Sequence, residues 1–106
     1  MAWIYLVAAG ILEIVWSYAM KQSDGFTRAV PTTVMAAAMI GSFALLSLAM
    51  RMLPLGTAYT IWTGIGAVGA FVVGIVILGE AATPARLLAA ALILSGLVLM
   101  KLSSTG

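Results

Sequence analysis

The 106 residues contain no cysteine and no histidine, only three acids, and five lysines and arginines. Without cysteine there is no disulfide framework and no thiolate chemistry. Without histidine the commonest metal ligand and the usual near-neutral base are both missing, so any proton chemistry must fall to carboxylates. No phosphate-cradling glycine loop precedes a helix, and no nucleophile stands beside a base, so the sequence offers neither catalysis nor a nucleotide energy source. No cofactor is implied. The basic residues are scattered rather than gathered into a patch, which leaves nucleic acid binding without support. Charged side chains make up 8% of the chain, too few to clothe the surface of a soluble domain of this size.

What is present in quantity is apolar. The hydrophobic share is 64% and the mean hydropathy is +1.22, so the solvent of this chain is the bilayer. A helix needs about 20 apolar residues to cross the hydrocarbon core, and four such stretches fit, at about 2–20, 30–50, 57–78 and 84–101. They form one all-α transmembrane domain over 1–106, in contact with membrane lipid. The polar run Lys21-Gln22-Ser23-Asp24-Gly25 ends the first, and Leu53-Pro54-Leu55-Gly56 reads as a tight turn before the third. Thr83-Pro84-Ala85 reads as a cap-and-proline start for the fourth. No Lys or Arg precedes the first apolar run and Glu13 interrupts it, so a retained amino-terminal span is expected rather than a cleaved leader.

Four crossings put both termini on one face. Arg51 and Lys101 then lie on the terminal side, with Lys21, Arg28 and Arg86 opposite. Orientation follows a marked Lys/Arg excess on one side, and a balance of two against three provides almost none. Insertion in both orientations is expected, and two oppositely inserted copies pair about an axis in the membrane plane, giving an antiparallel homodimer with the symmetry of an inverted-repeat transporter.

Asp24 and Glu80 fall in or beside loops, which leaves Glu13 as the one acid near mid-span. An ionisable group at that depth costs about 2.5–3.5 kcal/mol on insertion scales for the commoner cases, and by default it marks a path for an ion or substrate. Loss of water favours its neutral form while a bound cation favours the charged one, so proton and organic cation compete for one group. Gly10, Glu13, Trp16 and Ser17 share a helical face. The second span contributes Ser42, flanked by Met39 and Phe43 as an apolar edge. In the third span Tyr59, Trp62, Thr63 and Gly66 fall on one face, where aromatic rings attract cations. Gly64 and Gly66 sit mid-helix, where a kink or hinge competes with close helix packing as their role. In the fourth span Ala89 and Gly96, seven apart, suggest a self-association stripe and dimer contact.

The lone Glu13 in the first of four spans, with the run from Leu53 to Gly69 (LPLGTAYTIWTGIGAVG), resembles the small multidrug resistance family over essentially the whole chain. The segments Leu12-Glu13-Ile14-Val15-Trp16, Gly25-Phe26-Thr27-Arg28 and Trp62 to Gly69 look like its guanidinium-exporter branch. The resemblance implies that Glu13 binds substrate and protons alternately, with Trp16, Ser42, Tyr59 and Trp62 completing a hydrogen-bonded pocket. It further implies that Met39 and Phe43 line a lateral opening toward lipid, and that Gly64 to Gly66 is a kinked segment. Proton-coupled export of guanidinium-type cations by a multi-pass homodimer in the bacterial inner membrane is the implied function. Export of quaternary ammonium or aromatic cations is the alternative. Ser17 and Tyr18 depart from the branch pattern, where small apolar residues are expected.

Overall fold

The computed structural model describes residues 1–103, which contain four helices: α1 (Ala2–Gln22), α2 (Ala29–Met50), α3 (Leu55–Val76) and α4 (Pro84–Ser103). At a rise of about 1.5 Å per residue each is long enough to cross the hydrocarbon core, and each is also apolar enough.

The helix ends follow from local chemistry. Arg28, with extended backbone angles, precedes α2, and Pro31 sits in its first turn, where a missing N–H costs nothing. Pro54 caps α3, and its carbonyl accepts the Ala58 N–H at 3.0 Å. Leu55 and Gly56 therefore lie in the first turn of α3 rather than in the connecting turn where the sequence pattern puts them. α3 also stops two residues before the expected end. Ile77 N and Leu78 N both converge on the Val73 carbonyl, and Gly79, at φ +70°, turns the chain back so that Glu80 N reaches the Gly74 carbonyl at 2.9 Å. Glycine enters that left-handed region without the Cβ penalty. α4 begins as the sequence suggests: Thr83 Oγ1 accepts the Arg86 N–H at 3.3 Å, with Pro84 at the first helical position. The α1–α2 turn is organised by fully buried Ser23. Its hydroxyl donates to the Met20 carbonyl and accepts from Phe26 N, while its own carbonyl accepts from Thr27 N and Arg28 N.

α1 lies centrally, packed along α2 on one side and α3 on the other, and α4 packs along α3. The core between the first three helices is built largely from small residues. Ala9, Ala49 and Ala58 are fully buried beside Leu6, Leu46, Ile61 and Trp62, which lets the helix backbones approach closely. The result is a slab of 43 × 34 × 16 Å. α4 buries no residue, so one flank of the slab is an apolar helix with most of its surface uncovered.

Candidate functional site

The site is set by the register of α1 against α3, two helices that run in the same direction. Three contacts in sequence fix it, each between a glycine and a larger side chain. A β-carbon added at Gly10 would lie 2.6 Å from Ile65 Cγ2; one at Gly66 would fall on the Glu13 carboxyl group, and one at Gly69 would fall on Ile14. Gly66 is thus the seat of the Glu13 carboxylate, and α3 passes through it and Gly64 as an uninterrupted helix. Gly64 performs the same packing service for α4, since a β-carbon there would meet Leu97.

The carboxylate placed in this way is incompletely satisfied. Glu13 Oε1 is buried and accepts no hydrogen bond. Trp16 Nε1, one helical turn along, is buried and donates none. Buried polar groups nearly always find partners, so an unpaired acceptor and an unpaired donor three residues apart on α1 point to a site completed by something else.

Ser42 and Trp62 behave differently. The Trp62 indole N–H donates to Ser42 Oγ at 2.9 Å, and the Ser42 hydroxyl donates to the Ala9 carbonyl at 2.6 Å. Both side chains are buried, and the relay ties α3 to α2 to α1 just N-terminal to Glu13. In this arrangement their polar tips are engaged with one another and with the α1 backbone, which joins the three helices at that level.

The aromatic rings form a continuous strip. Trp16 meets Phe43 edge-on at 6.4 Å between centroids, Phe43 meets Trp62 at 5.8 Å, and Trp62 meets Tyr59 at 5.6 Å. Phe43 is 47% exposed and Tyr59 52% exposed, so the strip reaches the surface of the slab at both, with buried Trp62 between them. The stripe Tyr59-Trp62-Thr63-Gly66 expected from spacing divides in two. Trp62 and Gly66 face the interior, whereas Tyr59 and Thr63 are exposed and line a groove of about 510 Å³ between α3 and α4 with Thr60, Leu92 and Gly96. Met39 is half-buried on α2, and Ala89 and Gly96 lie exposed on α4. Among the described residues no cluster of acids could hold a metal ion.

Two features of the site were not singled out from the sequence. The seat at Gly66 needs the α1–α3 register, although Gly66 and the acid each stood out on their own helix. The Ala9 carbonyl is a backbone group with no side-chain signature.

The comparisons with known proteins agree with one another. Residues 1–93 match the family model described as Small Multidrug Resistance protein. Over 104 residues, 98% of this chain and 99% of the relative, the sequence is 57% identical to proteins named guanidinium exporter from Citrobacter freundii and Salmonella typhimurium. Over the same span it is 55% identical to the guanidinium exporter of Escherichia coli (strain K12).

Proposed function

This chain belongs to the small multidrug resistance family, and from that premise we propose that it exports guanidinium and related small guanidinyl cations from the bacterial inner membrane in exchange for protons. One observation carries the reading: a mid-span carboxylate oxygen, Glu13 Oε1, buried against Gly66 without a hydrogen-bond partner. Guanidinium is planar and presents a fork of N–H donors that matches the two oxygens of a carboxylate. Glu13 is the group that binds it, and the Trp16–Phe43–Trp62–Tyr59 strip supplies ring faces along which a cation is stabilised. The Trp16 N–H is a donor for a carboxylate oxygen of the assembled protein. Protons moving down their gradient neutralise Glu13 and release the cation on the far side, so the two ligands exclude one another and exchange is coupled.

The working unit in this reading is an antiparallel homodimer. The near balance of Lys and Arg between the two loop sets leaves orientation undecided, the slab is only 16 Å thick, and α4 buries nothing within the protomer. Ala89 and Gly96 on α4 are the small residues through which a second copy approaches, and Met39 and Phe43 border the opening toward lipid. Two Lys residues added to one loop set are expected to drive insertion into a single orientation and to reduce transport when that variant is expressed alone. Unchanged accessibility of the loops from both sides would count against dual insertion.

The export reading is tested by recording substrate-induced currents in vesicles that contain the purified protein. Guanidinium is expected to evoke a current that a tetraalkylammonium ion, which lacks N–H donors, does not. A current of equal size with both would point instead to a loose pocket for quaternary or aromatic cations.

A further inference from the structure

Below the Glu13 site, toward the loop face opposite the termini, the α1–α3 seam opens into a cleft of about 320 Å³. Its walls are unusually polar for this chain. Ser17, Tyr18 and Lys21 come from α1, and Glu80 comes from the segment after α3. Its inner end adjoins the acid: Ser17 lies one turn beyond Glu13, and Ala67, next to the Gly66 seat, lines the same cleft. Its outer end is held by backbone geometry. The left-handed Gly79 and the Glu80 N–H bond to the Gly74 carbonyl fold Glu80 back over α3. Gly74 is what lets the carboxylate lie there, since a β-carbon on it would sit 2.8 Å from Glu80 Cδ. Among the described residues, neither Lys21 nor Glu80 is held in an ion pair.

We propose that this cleft is a vestibule in which Glu80 holds a guanidinium-type cation on its way between Glu13 and the aqueous phase, while the ammonium of Lys21 in the same cleft opposes its entry. The inference rests on the export reading above. A volume of roughly ten waters admits a partly hydrated guanidinium. A carboxylate at the mouth raises the local cation concentration, whereas the nearby ammonium lowers it. Because Lys21 and Glu80 lie on the same loop face, two oppositely inserted protomers place one such vestibule at each surface of the membrane.

The test measures guanidinium-evoked current against concentration in vesicles, at low and at high ionic strength, for the wild type, Glu80→Gln, Glu80→Asp and Lys21→Gln. Loss of one charge at contact range in a wet site is expected to raise the half-saturating concentration about fivefold for Glu80→Gln at low salt. The maximal current is retained, and the difference shrinks as salt screens the charge. Lys21→Gln is expected to shift the half-saturating concentration in the opposite direction, and Glu80→Asp to restore most of the loss. Half-saturation unmoved by Glu80→Gln and Lys21→Gln, or moved the same way by both, would overturn the vestibule, because a merely structural role has no reason to follow the sign of the charge. Absence of any guanidinium current in the wild type would sink the export reading instead.

Discussion

Glu13→Gln is expected to reduce proton-coupled guanidinium transport to background while leaving the helices and their assembly intact. Glutamine keeps the length of the side chain, one carbonyl oxygen and the fit against Gly66, so the α1–α3 seam survives. What it removes is the negative charge that pairs with the cation and the site at which a proton can be exchanged. In the proposed cycle both halves use that one group, because the other two acids, Asp24 and Glu80, are exposed and lie outside the helices. Substrate current and proton flux should therefore disappear together. Proton-coupled export persisting in this variant would show that another group carries the proton.

Gly66→Ala should give the second largest effect, and by a different route. The added methyl falls on the Glu13 carboxyl group, with Glu13 Cγ 2.7 Å from the new β-carbon. The obstructed atoms belong to the end of a flexible side chain, so the carboxylate moves aside while the helices stay packed. Alanine also favours the helix over glycine by about 1 kcal/mol. A displacement of about 1 Å in a positioned group can cost on the order of a hundredfold in efficiency, and a loss of about tenfold to a hundredfold in transport at low guanidinium is expected, with stability unchanged or improved. Gly69→Ala is the contrasting case: its methyl falls on Ile14, an apolar side chain, so its damage should appear as lost stability of the α1–α3 pair. Equal transport by Gly66→Ala and wild type, measured across guanidinium concentrations, would remove Gly66 from the site.

These two substitutions also mark how far the sequence could be read. Four long apolar stretches separated by turn chemistry specify four crossing helices, because in lipid a helix satisfies its own backbone. A single acid amid apolar residues identifies itself by its cost. Trp16, Ser42, Tyr59 and Trp62 stand beside Glu13 in that reading because their polar tips and rings stand out at helical spacing within apolar spans. How they are joined is not visible in the sequence. Spacing alone cannot tell that the Trp62 N–H is taken by Ser42, or that Phe43 stands between two indoles, since both facts depend on how α2 and α3 lie against α1. Gly66 illustrates the point most clearly. On its own helix it reads equally as a hinge or as a packing position, and only the neighbouring helix shows that the space it leaves is filled by the carboxylate. The early start of α3 was obscured by Pro54-Leu55-Gly56, which carries the residues of a turn while Pro54 serves as a helix cap.

If proton and guanidinium compete for Glu13, binding of the cation must expel the proton, and proton release by the purified protein reports that exchange. Guanidinium added to the wild type in weakly buffered solution, at a pH where Glu13 is protonated, is expected to acidify the medium in a saturable way, and Glu13→Gln should release nothing. Saturable guanidinium binding without proton release from the wild type, or equal release from both proteins, would rule out competition at Glu13.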